Sequence, residues 1–332
     1  MILREFLYVD TDKVKAMLAQ LDGGVAEESR ETERRESRTT VGPRAAAQHF
    51  RGAGSESYTQ KSLGDALFPM LEDALESEGL IRDISEEVAD IEQWNSGELK
   101  KSVPLGSLVR ISAPGSLFDA RYVASAFAAF GAVNVGLQGI GATPVSTSVP
   151  PGKGKQGQAR RQSGSPKPKV AGSSPSQLED SIPDFPDING TSGSLLRSFV
   201  QISRGIFAPG LHINLAPVPG VLIGSRLQEG RQYLDSEADI LFARYGTERQ
   251  EWTLVGSVGS YGTEESALPE MDFYNSDGSV NRGDFAECMN AQMRNLGRIG
   301  FIDLPQYPGF SVVPFAVYRS IPRVGAVALR EG

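Results

Sequence analysis

Asp10 and Asp12 stand at the end of an apolar run, Phe6-Leu7-Tyr8-Val9, and Asp119 follows a second one, Leu117-Phe118. Carboxylates just past strand ends can hold Mg²⁺ for phosphate chemistry. Asp10, Asp12 and Asp119 are therefore the candidate residues of a metal-dependent nucleotide or phosphate enzyme. Asp10 and Asp119 also stand where a helix N-cap belongs, and capping is the favoured reading because short polar side chains accept the orphan N–H groups of helix starts. Other chemistries find less. A phosphate loop needs G-x-x-x-x-G-K-[ST] after a strand. Gly152-Lys153 and Gly154-Lys155 lack the upstream glycine and the following hydroxyl. No G-x-S-x-G is present, and a nucleophile needs a base in reach. His49 falls in a polar stretch and His212 in a strand-like one; Cys288 reads as a core thiol. Arg226, Arg231 and Arg244 are either anion contacts or plain surface charges. The expectation is a chain with no catalytic, cofactor or metal residues, leaning away from an enzyme.

The elements that would position these residues follow from the pattern. Phe6–Val9 reads as a strand. Val14, Met17, Leu18 and Leu21 then recur at helical spacing and end at Gly23-Gly24. A second helix pattern runs through Leu67, Met70, Leu71, Ala74 and Leu75, with Pro69 in its first turn and Gly79 as its stop. Residues 75–81 resemble a helix-to-wing junction, in acidic surroundings that disfavour duplex DNA. The strand–cap–helix–glycine unit recurs after Leu108–Ile111 and Leu117-Phe118, with Asp119 as cap and Tyr122, Val123, Ala126, Phe127 and Phe130 closed by Gly131. It recurs again after Gly220–Gly224, with Ser236 as cap and Gly246 as stop. Residues 195–207 fit a helix or a strand. Strands at 211–215, 252–258 and 310–319, with a helix opened by Asp284, give the order β-β-α-β-α-β over 211–319. Pro314 places the last strand at an edge or on a bulge. Trp94 and Trp252 read as packing residues. The fold class is α+β, with strand–helix units around mixed sheets and two long flexible insertions.

Composition bounds the rest. The chain has 332 residues, one Cys, two His and a net charge of −8. One Cys makes no intrachain disulfide and, with two His, no Cys-rich zinc site. Without a basic-then-apolar leader, and with a lone Cys, the expected compartment is the cytoplasm. The organisation reads as a first strand–helix unit over 1–24, a charged flexible arm over 25–60, and an α/β region over 61–131. A basic Gly/Ser/Pro-rich linker over 132–190 and an α+β region over 191–325 complete it. The linker has no acidic residue between Gly131 and Leu178, and its charges are Lys153, Lys155, Arg160, Arg161, Lys167 and Lys169. These six are the candidate polyanion or partner contacts, although no aromatics interleave them as stacking platforms; a soluble tether is the favoured reading. Tyr122–Gly141 is uncharged. A buried helix ending at Gly131, followed by a Gly-rich loop, explains it better than a membrane span, so a membrane role is disfavoured.

Arg4-Glu5-Phe6-Leu7-Tyr8-Val9-Asp10, then Val14 and Leu18-Ala19-Gln20-Leu21-Asp22-Gly23-Gly24, resembles an uncharacterised bacterial family, a domain of unknown function. Val313-Pro314-Phe315-Ala316-Val317-Tyr318-Arg319 is similar to the family's closing segment. The resemblance implies a bacterial protein and transfers no activity; with motifs near both ends, it implies that the two ends meet in one fold, the first and last strands in or near one sheet. The expected function is a non-enzymatic accessory protein with a protein partner, of a regulatory or phage-defence operon. The alternatives are a nucleic-acid or polyanion binder using the linker, and the Asp10–Asp12–Asp119 enzyme. Oligomeric state is left open.

Overall fold

The structure, a computed structural model, describes residues 3–21, 55–141, 178–185, 190–264 and 273–321. The arm before residue 55 and the six linker cations lie outside the described residues. The chain divides into two units, one of residues 1–119 with 208–332 and one of residues 120–207.

In the first unit, β1 (Leu3–Val9) leads through Asp10 into α1 (Thr11–Leu21). α2 (Ser55–Ser77) follows, then β2 (Ile81–Asp83) and three single-turn helices, α3 (Ser85–Ala89), α4 (Ile91–Asn95) and α5 (Glu98–Ser102). β3 (Leu108–Phe118) is one continuous strand through Pro114. After the second unit come β4 (His212–Leu215), β5 (Ile223–Arg226), α8 (Ala238–Tyr245), β6 (Gln250–Tyr261), α9 (Arg282–Arg298) and β7 (Phe310–Ile321). The expected β-β-α-β-α-β order is observed. The mixed sheet and its helices make the fold α+β.

The ladders close into a ring. β3 pairs with β4, and β4 with β5, both antiparallel. β5 runs parallel to β7 through Ile223↔Phe310 and Gly224↔Ser311. β7 pairs with β6, and β6 with β3, again antiparallel. With α8 between its third and fourth strands, this is the plan of a five-stranded Greek-key barrel of the oligonucleotide-binding type. β1 extends the second half of β7 and β2 the first half of β3. Closure needs tight seams. At Gly256 a Cβ would run into the Val313 carbonyl, and at Gly309 into the Leu222 carbonyl, so neither seam admits a side chain. Pro314 is accommodated beside a register shift between Val255 and Gly256, the bulge option of the two expected.

The main core joins Val9, Val14, Phe68, Leu71, Leu75, Val255, Ala316 and Tyr318. Burying each large apolar side chain contributes roughly 1.5–3 kcal/mol. α2 differs from its expected pattern: Pro69 lies inside the helix, Met70 is exposed, and the buried row is Phe68, Leu71, Glu72 and Leu75.

The second unit is α6 (Ala120–Gly139), a 3₁₀ turn (Leu178–Ser181) and α7 (Gly193–Ile206). α6 overrides the expected stop at Gly131, where the missing Cβ instead admits Pro183 and Phe185. Helical structure thus occupies parts of what composition marked as linker. Three further expectations shift. Gly220 takes a positive φ of 81° and makes a turn, delaying β5 to Ile223. α8 starts at Ala238 with no side-chain cap from Ser236. Asn281, not Asp284, caps α9, accepting from the N–H groups of Gly283 and Asp284. β2 lies parallel to β3, so the segment after residue 79 forms no antiparallel wing.

Candidate binding sites

The two resembling motifs meet strand against strand: Glu5 opposes Arg319 and Phe6 opposes Tyr318 in the β1–β7 ladder. Arg319 Nη2 donates to Glu5 Oε2 at 2.6 Å and Nη1 to Gln250 Oε1 at 2.5 Å. Its guanidinium lies 4.5 Å from the centre of the Tyr245 ring and 5.4 Å from that of Trp252. Tyr245 donates to Glu5 at 3.1 Å. The hydrogen bond from Arg319 holds the Glu5 carboxyl below its ordinary range, and burial pushes the Tyr245 phenol up to about 12. Behind this pair, Glu72 of α2 is fully buried. It bridges Arg4 and Arg110 and accepts from the Tyr318 hydroxyl at 3.2 Å. Burial works against the Arg110 charge, but hydrogen bonds to Glu76 and Glu72 outweigh it and raise its pKa. Burial raises Tyr318 to about 12, with the Glu72 charge adding to it. These residues join β1, α2, β3 and β7; they hold the sheet together.

The acidic turn is equally engaged. Asp10 is buried and caps α1, accepting from the Lys13 N–H at 3.1 Å. Its other oxygen accepts from the Tyr8 hydroxyl at 3.3 Å and pairs with Lys13 Nζ at 2.7 Å. Asp12 accepts from the Tyr233 hydroxyl at 2.6 Å. Asp119 is buried directly before α6. Among the described residues no group of three or more His, Cys, Asp or Glu could hold a metal ion. His212 is buried, its Nε2 at 3.0 Å from the Ala208 carbonyl. Cys288 is a buried free thiol, and both Trp94 and Trp252 are core residues. Arg244 pairs with Asp235 and Arg226 donates to the Pro209 carbonyl.

Two concave surfaces on this unit, both lined by described residues, bear on binding. One, of about 360 Å³, lies at the two feet of the β6–β7 connection, where Tyr261 and Thr263 meet Tyr307 and Pro308 beside Trp94 and Lys100. Lys100 Nζ sits 5.8 Å from the centre of the Tyr261 ring. The other, of about 780 Å³, is an acidic groove of Asp83, Glu86, Glu87 and Asp90. The first has no sequence signal, because residues 94, 261 and 307 become neighbours only in the fold; the second draws its carboxylates from the single stretch Asp83–Asp90. Convex apolar surface is also present. α9 exposes Phe285, Met289, Met293 and Leu296 in one row while Cys288 and Ala291 are buried. α6 and α7 expose rows of their own.

No curated protein and no solved structure gives a significant match to the chain. The family model described as Domain of unknown function (DUF6414) matches residues 3–318, from the first strand to the closing Tyr318. The match thus runs from the strand that carries the first motif to the strand that carries the last, and the chain belongs to this family.

Proposed function

We propose that this is a bacterial, cytosolic accessory protein that acts by binding another protein and not by catalysis. The observation that carries this reading is the α9 row: Phe285, Met289, Met293 and Leu296 follow at i, i+4, i+8 and i+11 and face outward. An apolar row of that length on a soluble body marks a contact surface, and paired methionines adapt to an irregular partner. Two of the three carboxylates that could have served phosphate chemistry are engaged, Asp10 by the Lys13 N–H, Lys13 Nζ and the Tyr8 hydroxyl and Asp12 by the Tyr233 hydroxyl. A regulatory or phage-defence operon is the setting we propose. The test is affinity capture from the native host with wild type and Met289→Glu/Met293→Glu at equal Tm. A partner captured by wild type and lost by the variant supports the reading. Turnover of a nucleotide or nucleic acid that disappears in Asp10→Ala would overturn it.

A second reading has its own observation. The cationic stretch Lys153–Lys169 lies in the connection between β3 and β4, and the corresponding connection of an oligonucleotide-binding barrel contributes to ligand contact. On that reading, single-stranded DNA binds with a steep salt dependence, and changing the six Lys and Arg to Gln removes it. Unchanged binding would exclude the stretch.

A further inference from the structure

In the second unit, α6 carries no charge from Tyr122 to its end. Such a helix belongs in a core, yet only 22% of its 18-residue apolar window is buried. The buried side is small: Ala120, Ala124, Gly131 and Asn134. It faces a cluster of Ile182, Phe185, Leu196 and Val200. On the open side exposed Ala126, Phe130 and Val133 and half-buried Leu137 recur at i, i+4, i+7 and i+11, Phe130 also meeting Phe185 edge-on, and Ile140 continues the row past the helix end. Val133 is 59% exposed. α7 adds a parallel feature, with Leu195, Phe199 and Ile202 outward and Ile202 57% exposed. Its two cations are tied elsewhere, Arg197 to Asp184 and Arg204 to Glu179. A buried helix ending at Gly131 would account for the uncharged run without a membrane; α6 neither ends there nor is buried.

We propose that the 120–207 unit docks on an anionic lipid surface, with the open rows of α6 and α7 seated at the headgroup–acyl boundary. Charge selects this occupant over a second copy of the chain. The sequence that follows α6 has no acidic residue before Glu179 and carries six Lys and Arg. Basic sequence beside an apolar surface helix favours anionic lipid. A second copy would add six more Lys and Arg, with no acidic residue between Gly139 and Glu179 to offset them, and like charges repel. The proposal is independent of the α9 row.

The experiment is co-sedimentation of the full-length protein with vesicles of phosphatidylcholine alone and of phosphatidylcholine with about a third phosphatidylglycerol. Expected is binding to the anionic vesicles on the order of tenfold above the neutral ones, weakened by added salt. Val133→Glu/Phe199→Glu/Ile202→Glu changes only exposed side chains and is checked for folding by its melting curve; it should lose binding on the order of tenfold. Equal retention by both vesicle types, no retention, or a folded variant that binds like wild type overturns the proposal. Self-association abolished by the variant, without vesicle binding, assigns the rows to a second copy and also overturns it. Binding of a single-stranded oligonucleotide without vesicle binding does the same in favour of nucleic acid.

Discussion

Glu5 and Arg319, separated by most of the chain, face each other across the β1–β7 ladder and are joined at 2.6 Å. The guanidinium also stacks on Tyr245 and approaches Trp252, so one residue ties β1, α8, β6 and β7 together. The pair is partly exposed, so its electrostatic part is modest and screened, and the stacking supplies much of its effect. Arg319→Met should cost about 1–2 kcal/mol in urea unfolding. Because the folded Glu5 pKa is depressed by Arg319, its contribution is present above the ordinary glutamate value of 4.5. It fades as pH falls through the lower folded value. Melting curves of wild type and Glu5→Gln should differ at neutral pH and converge in acid; a constant gap would contradict the assignment.

Glu72 is a buried charge shared between two arginines. It is 1% exposed and bridges Arg4 and Arg110. Removing one side of such a pairing leaves charge uncompensated. Glu72→Leu removes the buried carboxylate that Arg4 and Arg110 share, leaving Arg110 with Glu76, and should destabilise by about 3 kcal/mol. Arg110→Met leaves Glu72 with Arg4 and should cost less. Chemical denaturation of both variants checks the order, and equal costs would mean that Arg4 does not compensate.

Asp10 is a structural carboxylate. Asp10→Ala removes the cap of α1, the Lys13 pair and the Tyr8 acceptor. The expected loss is about 1–2 kcal/mol. Since its oxygens are already engaged, Mg²⁺ should not raise the Tm of wild type; a Mg²⁺-dependent rise lost in Asp10→Ala would restore the metal reading.

Gly309 sits where the β5–β7 seam closes the barrel. A Cβ there would overlap the Leu222 carbonyl, which is backbone and cannot swing aside. Gly309→Ala should therefore cost about 1–3 kcal/mol or more. Hydrogen exchange should localise the loosening to β5 and the start of β7. Gly136→Ala, where the added carbon meets open space, is the matched control and should leave the Tm unchanged or raised.

Local pattern determined much of this protein. The aromatic and β-branched run at Phe6–Val9, Asp10 as a cap and the β-β-α-β-α-β order are properties of neighbouring residues, and they appear in the fold as the sequence has them. The meeting of the two end motifs, which the family resemblance implies, appears as the β1–β7 ladder. Where local signals compete with packing, tertiary structure decided. Gly131 reads as a helix stop, but its missing Cβ is used to admit Pro183 and Phe185, so α6 runs on to Gly139. Glu72 reads as a surface charge until Arg4, Arg110 and Tyr318 arrive from three strands. The cleft of Trp94, Tyr261 and Tyr307 has no trace in the sequence. Those positions are brought together by ring closure through β6 and β7, and strand partners far apart in the chain leave no periodicity to read.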